Sequence, residues 1–196
     1  MPKIVDHEQQ RQALSSTVAS ALAELGLENT TLRAVASRHG CTKGMVQHYF
    51  ADKEELMLAA LVFVEEQCED RLRKIGEQHS GLEQLHARLN AQLPIRSDVL
   101  DEWKVRFSFA TRAARSPEMR DRLLQFQAGY QKAGMTCLRK AQRAGDLKSG
   151  LSLRNSYRSL MALVSGISVS VVTGEDRLSA ANQRQMLKTA IENLRH

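Results

Sequence analysis

The spacing of apolar side chains at every third or fourth position constrains this chain most. In the segment from about Glu8 to Leu25, for example, apolar residues stand at positions 14, 18, 21, 22 and 25. This spacing places them on one face of an amphipathic helix, whereas a half-buried strand would alternate apolar and polar residues. Only 5% of the residues are aromatic and 3 are proline, a composition that favours helices over sheets. We therefore predict an all-α fold.

Helix start and stop signals divide the chain into about nine helices. Gly26, Gly40 and Gly76 each stand where an apolar stripe ends, as C-capping glycines do. Thr30 and Thr42 are predicted to cap the second and third helices with their hydroxyl groups.

Several classes of protein do not fit this sequence. The longest uncharged stretch, residues 159–174, is shorter than the ~20 residues that cross a bilayer, so no membrane partner is expected. The N-terminal segment has no apolar core of the kind that a secretory signal needs, and we expect a cytoplasmic protein. The three cysteines match no zinc or redox spacing.

The formal net charge is +6, and the positions of the charged residues indicate which part of the chain is basic. Residues 29–53 contain four basic residues, Arg33, Arg38, Lys43 and Lys53, against a single acidic one, Asp52. Such a local excess of positive charge is typical of a surface that contacts nucleic acid.

Two short helices joined by Gly40 have the proportions of a helix-turn-helix, whose second helix enters the major groove of DNA. Gly44 has no side chain, so the backbone there can approach DNA closely. Lys43, Gln47 and His48 are predicted to be the exposed donors of this helix, and Lys53 to contact a phosphate.

The run TTLRAVASRHGCTKGMVQHYFADKEEL resembles the tetracycline-repressor (TetR) family of transcriptional regulators. The matching positions are Thr30, Thr31, Ala36, Gly40, Thr42, Lys43, Gly44, Tyr49, Phe50, Lys53 and Leu56. By this resemblance the residues that face DNA would be Thr31, Thr42, Lys43, Gly44, Gln47, His48, Tyr49 and Lys53. We add Arg33 from the basic stretch. The family often has Tyr where this chain has Gln47, whose amide could instead read an adenine edge.

Within the family, the segment GMVQHYF and the lone Trp103 before an arginine-rich helix look like the choline-responsive BetI branch. Five aromatic residues are the candidates for an effector site: Trp103, Phe107, Phe126, Tyr130 and Tyr157. The same spacing is also ordinary for core aromatics. An apolar or aromatic effector of undefined charge is favoured and choline is the named alternative. An anion would be favoured if the nearby arginines lined the cavity.

The helix predicted after Ser152 is apolar on more than one face, so it needs burial all round. A second copy of the chain would supply that burial. The predicted homodimer interface consists of Leu160, Val164, Ile167, Val171, Leu187 and Ile191.

The resemblance and these patterns together predict two domains, a DNA-binding domain over residues 8–68 and a ligand-binding and dimerisation domain over residues 69–196. They predict a ligand-responsive repressor that binds a palindromic DNA operator as a homodimer. The alternative is an architectural or partner-gated DNA-binding regulator without a small-molecule effector. An enzyme is not favoured, because the sequence shows no nucleophile-base constellation and no phosphate loop. We predict no catalytic residue, no cofactor and no metal.

Overall fold

The computed structural model describes residues 7–76, 78–175 and 177–195. Within these residues the chain forms nine α-helices and no strand, which confirms the predicted all-α class. An isolated antiparallel bridge joins Leu147 to Arg195. The helices are α1 His7–Asn29, α2 Leu32–His39, α3 Lys43–Tyr49, α4 Lys53–Gly76, α5 Gly81–Asn90, α6 Ser97–Ala113, α7 Pro117–Ala144, α8 Leu153–Thr173 and α9 Ala180–Glu192.

The ends of the first helices follow the local chemistry. Gly26 interrupts α1 with a positive φ of 74°, which glycine adopts at no steric cost. The cap of α2 is Thr31 and not Thr30, because the Thr31 hydroxyl accepts from the amide of Ala34 at 3.1 Å. The hydroxyl of Thr30 instead donates to the carbonyl of Gly26 at 2.7 Å. The cap prediction was therefore wrong by one residue, since two adjacent threonines offer the same group.

Serine and aspartate side chains cap several later helices. The Asp52 carboxylate accepts from the amide of Glu55 at 2.9 Å, and Ser179 accepts from the amide of Asn182 at 3.1 Å. Each cap satisfies an amide that the first turn of a helix leaves without an intrahelical partner.

The chain divides into two compact units. Unit 1 consists of the described residues of Met1–Gln67 and Asp101–Asp121, and unit 2 of Cys68–Leu100 and the described residues of Arg122–His196. Most of α6 thus clusters with α1, α2, α3 and the part of α4 up to Gln67, although it comes later in the chain. The predicted domain boundaries at residues 68 and 69 stay a prediction.

Unit 1 is held together by apolar side chains from its successive helices. Leu14 and Val18 of α1, Val35 of α2 and Val46 of α3 are fully buried, and so is Phe50, which follows α3. Burying such side chains stabilises the fold by about 1.5–3 kcal/mol each. Helices α1 and α2 therefore hold α3 from its inner side.

In unit 2, α5 and α8 both pack against α9. Leu82, Leu85 and Leu89 form the buried stripe of α5. Their spacing of three and four residues is the helical one that the sequence analysis used to predict these elements.

Among the described residues, α8 alone is long and apolar enough to cross a membrane by length and composition, with a mean hydropathy of 1.2. Arg154 and Arg158 lie in its first two turns. The uncharged part that follows them is shorter than the ~20 residues that span a bilayer.

Candidate nucleic-acid interface and effector site

The turn between α2 and α3 orients the two helices. Gly40 adopts a left-handed conformation, with φ 74° and ψ 32°, and its amide donates to carbonyls of the last turn of α2. The amide of Cys41 donates to the carbonyl of Ala36 at 3.0 Å. Thr42 then caps α3 by accepting from the amide of Met45 at 3.2 Å. A tight turn followed at once by a capped helix is the geometry that a helix-turn-helix requires.

Helix α3 has one face inside unit 1 and one face outside. Val46 is fully buried, whereas Lys43, Gly44, Gln47 and His48 are exposed. Lys43 and Gln47 are four residues apart, so they lie next to each other on the outer face. The exposed face therefore offers an ammonium group and a primary amide side by side.

The other residues predicted to face DNA occupy different environments. Thr31, Arg33 and Thr42 are exposed. Lys53 is half-buried, and its ammonium group donates to the carbonyl of Glu28 at 3.3 Å. Tyr49 is only 8% exposed, so most of its side chain packs inside unit 1. Their roles at DNA stay predictions.

Two side chains that the sequence analysis did not select hold α2 and α3 in place. The guanidinium of Arg11, on α1, donates to the carbonyl of Tyr49 at 3.0 Å and forms an ion pair with Glu55 at 3.5 Å. Both ring nitrogens of His39, on α2, are bonded to α1, at 2.8 Å to the hydroxyl of Thr17 and at 3.1 Å to the amide of Gln10. His39 therefore links α2 to α1 and supports the helix pair.

On α6, in unit 1, an arginine lies over the ring of Trp103, one of the predicted effector aromatics. The rings of Trp103 and Phe107 pack in a tilted arrangement, with centroids 5.3 Å apart. The guanidinium carbon of Arg106 lies 5.2 Å from the centre of the Trp103 ring. Its Nε donates to Glu65 Oε1 at 2.8 Å, and its Nη1 lies 3.6 Å from Glu102 Oε2. A cation on an aromatic face and beside two carboxylates is a favourable arrangement away from water.

The remaining predicted effector residues lie in unit 2. Phe126 and Tyr130 stand four residues apart on α7 and are half-buried. The ring of Tyr157 lies so close to Gly134 that a Cβ at that position would be 2.1 Å from its Cε2 atom. Burial raises the pKa of Tyr157 to about 12. Tyr157 is thus a packed core residue, and a contact with an effector stays a prediction.

Comparison with protein families assigns both parts of the chain. A model described as "BetI-type transcriptional repressor, C-terminal" matches residues 81–196, more than half of the sequence. A model described as "Bacterial regulatory proteins, tetR family" matches residues 18–60. The chain belongs to the TetR family. Its C-terminal region is of the BetI type, and because the family consists of transcriptional regulators the chain is not an enzyme.

Individual TetR-family relatives match parts of the chain. The regulator PksA of Bacillus subtilis is 29% identical over 122 residues, which cover 62% of this chain and 60% of PksA. The regulator BetI of Burkholderia cenocepacia is 39% identical over 61 residues, 31% of each chain. The matched segments thus span less than two thirds of these relatives.

A solved structure extends the similarity of fold to nearly the whole chain. It is a putative transcriptional regulator from Saccharomonospora viridis in complex with choline, with a TM-score of 0.91 and 23% identity. The match covers 97% of this chain and 100% of the other. At this identity the comparison establishes a shared fold.

The residues predicted for a TetR-type dimer interface lie mostly inside the single chain. Leu160, Val164, Ile167, Leu187 and Ile191 are all at most 4% exposed, and Val171 is half-buried. A side chain that is already buried has little surface left to cover, so most of these residues stabilise the subunit itself. On the same two helices Val169 is 41% exposed and Met186 is 40% exposed. Any interface of α8 and α9 would therefore use these exposed side chains.

Within the part of the chain that the structure describes, no group of three or more histidine, cysteine, aspartate or glutamate side chains could hold a metal ion. A groove of about 610 Å³ in unit 2 lies between α5 and α9 and is bordered by His86, Lys188 and Arg195. Burial, followed by the positive charges of Lys188 and Arg195, lowers the pKa of His86.

Proposed function

We propose that this TetR-family chain is a cytoplasmic, ligand-responsive repressor that binds a palindromic operator as a homodimer and leaves it when an organic cation binds. The observation that carries the DNA-binding part is the division of α3. Its outer face exposes Lys43, Gly44, Gln47 and His48, while Val46 packs inside unit 1. A helix that is held from behind and polar in front is suited to lie in the major groove.

The exposed residues of α3 would make different kinds of contact with DNA. Gln47 carries both a donor and an acceptor, so it could pair with the N6 and N7 atoms of an adenine. Lys43 carries only donors and would neutralise a phosphate. Gly44 would let the helix backbone approach the groove.

The experiment for this part is a salt titration of operator binding, with an operator selected from random duplexes by the unmodified protein. Lys43→Ala should weaken binding to all duplexes and lower the slope of log K against log salt by about 1. Lys140→Ala is the matched control, because it removes the same charge from an exposed position on α7, outside the helix-turn-helix. Equal slopes for Lys43→Ala and the unmodified protein would contradict the assignment.

For the homodimer, we propose an interface built on the exposed side of α8 and α9. Val169 and Met186 are large apolar side chains that lie at the surface of the single chain. Gly166 on α8 is also exposed, and a Cβ built there would meet nothing within 4 Å. A second α8 could pack closely on such a surface, and two linked α3 helices could then reach half-sites about 34–36 Å apart.

Sedimentation of Val169→Glu tests the dimer without disturbing the core of the subunit. The new carboxylate would be solvated in a monomer but buried without a partner in the interface. We expect a folded monomer with much weaker operator binding. Leu124→Glu is the control, since Leu124 is 52% exposed but lies on α7. A Val169→Glu variant that stays dimeric and binds operator normally would contradict the interface.

For the effector, we propose a small organic cation, with choline as the first probe. The face of the Trp103 ring already contacts a cation, the guanidinium of Arg106. Aromatic faces attract quaternary ammonium ions by the same electrostatic force. Choline in the similar Saccharomonospora viridis structure supports this class. The contributions predicted for Phe126, Tyr130 and Tyr157 remain to be tested.

Experiments with choline distinguish the ligand-responsive repressor from the alternative regulator that has no effector. If choline is an effector, isothermal titration and thermal unfolding should both detect its binding, because a ligand that binds only the native state raises the stability of that state. Operator affinity should fall when choline is added. Operator binding that persists unchanged with every organic cation, without heat of binding, would favour the architectural regulator.

A further inference from the structure

A buried ion cluster of unit 1 connects the predicted effector residues to α4. Arg106 of α6 forms two hydrogen bonds with Glu65 of α4, from Nε at 2.8 Å and from Nη2 at 3.3 Å. The side chains of Arg106 and Glu65 are only 10% and 2% exposed. This is the planar, two-pronged geometry in which a guanidinium binds a carboxylate most strongly.

The same guanidinium also covers Trp103. Trp103 is only 7% exposed, and its ring is contacted by both Arg106 and Phe107. Little of the indole surface is therefore left for a ligand unless one of these two neighbours moves.

The charges of the cluster decide which class of ligand could replace Arg106. A neutral ligand that displaced Arg106 would remove both hydrogen bonds of the guanidinium to Glu65 and bring no positive charge in return. Because Glu65 is buried, the loss of this cationic partner is unfavourable. A cationic ligand would bring a new positive charge to Trp103, Glu65 and Glu102 as the guanidinium leaves. The cluster therefore selects for a cation.

We propose that Arg106 is a built-in substitute for the effector, and that an organic cation acts by displacing it from Trp103 and thereby breaking its bond to Glu65. This inference rests on the proposed function, since it assigns the site and the transmission step of the cationic effector. Arg106 is a positioning residue in this account: its bond to Glu65 holds α4 in the conformation that binds the operator.

The segment that connects α3 to α4 explains how loss of the bond between Arg106 and Glu65 would change DNA binding. Helix α4 begins at Lys53, and only three residues separate it from the last residue of α3. The amide of Phe50 donates to the carbonyl of Val46, and Glu55 accepts from the amide of Ala51 at 2.8 Å. Because this connection is short and hydrogen-bonded, a shift of α4 would change the position of α3.

Two variants of the full-length protein separate this transmission role from a purely structural one. Arg106→Ala should weaken operator binding without effector, because the bond to α4 is lost. It should also tighten choline binding by about tenfold, because the competitor for Trp103 is gone. Loss of a merely structural residue would weaken both affinities or neither, and that result would overturn the inference.

Glu65→Gln breaks the charge pair from the other side and keeps the shape of the side chain. We expect weaker operator binding but no gain in choline affinity, because Arg106 still covers Trp103. This variant decides the matter if Arg106→Ala does not fold, and operator affinity equal to that of the unmodified protein would then overturn the inference.

Arg112→Ala is the control. Arg112 of α6 forms an exposed ion pair with Glu54 of α4 at 3.4 Å, and its loss should change either affinity by no more than about twofold.

The charge of the ligand gives an independent readout on the unmodified protein. Choline should bind at least about tenfold more tightly than dimethylbutanol, its uncharged carbon analogue. Equal affinities would overturn the displacement of Arg106. If choline releases the operator from the unmodified protein and from Arg106→Ala alike, this inference fails while the proposed function stands. If neither choline nor methylguanidinium binds the unmodified protein, both fail.

Discussion

The guanidinium of Arg11 donates to the backbone carbonyl of Tyr49 at 3.0 Å, across 38 residues of sequence. Tyr49 is the last residue of α3, so its carbonyl is one of those that the end of a helix leaves without an intrahelical partner. Arg11 also lies over the ring of Phe50, with its guanidinium carbon 5.2 Å from the ring centre. One side chain of α1 thus fixes the end of the helix that we propose to enter the major groove.

Replacement of this arginine should loosen α3. Arg11→Met keeps most of the aliphatic stem but removes the hydrogen bond to Tyr49. Because the Arg11 side chain is 38% exposed, we expect a modest loss of about 1 kcal/mol in the free energy of unfolding. Operator affinity should fall as well.

Urea unfolding and operator titrations measure both effects. Arg139→Met is the control, since Arg139 is exposed on α7 and donates to the hydroxyl of Thr136 on the same helix, at 3.3 Å. If the two variants behave alike, Arg11 does not hold α3.

Two glycines of α7 should respond to alanine in opposite ways. A Cβ on Gly134 would lie 2.1 Å from Cε2 of Tyr157, whereas a Cβ on Gly129 would have Glu69 Oε1 as its nearest neighbour, at 4.0 Å. Overpacking should make Gly134→Ala less stable by about 1–3 kcal/mol. Gly129→Ala should gain up to about 1 kcal/mol, because alanine favours the helix. Midpoints of urea unfolding that shift in the same direction for both variants would refute the packing of Tyr157.

Tyr157 should make the protein less stable at alkaline pH. Its pKa in the folded protein is about 12, raised mainly by burial, and about 10 in an unfolded chain. Between these values the unfolded chain has lost the proton while the folded protein keeps it, so stability falls as pH rises, by at most about 1.4 kcal/mol per pH unit. The loss should level off above the folded pKa.

Unfolding measurements on Tyr157→Phe isolate this contribution. Between pH 10 and 12 the variant should lose less stability per pH unit than the unmodified protein. Its tyrosinate absorbance should also lack the titration step near pH 12 that belongs to Tyr157. A Tyr157 that titrates near pH 10 in the folded protein would contradict its burial.

The sequence was sufficient for features that repeat locally. The three- and four-residue spacing predicted the helices, and Gly40 with Thr42 predicted the turn and the cap that orient α3. Pairings across long stretches of chain leave no periodic signal, so neither the bond of Arg11 to Tyr49 nor that of Arg106 to Glu65 could be predicted. The interface residues of α8 were also ambiguous, because a helix with apolar residues on more than one face does not reveal which of them packs inside its own subunit. Ile167 and Val169, two positions apart, are 2% and 41% exposed.

The most direct test of the central claim is a base-substitution scan of the operator with the unmodified protein and with Gln47→Ala. If α3 reads the major groove, Gln47→Ala should lose about 1–3 kcal/mol of discrimination at one base pair in each half-site. The two positions should be related by the symmetry of the operator. The same preference for every base pair in both proteins would contradict the claim that α3 reads the operator through Gln47.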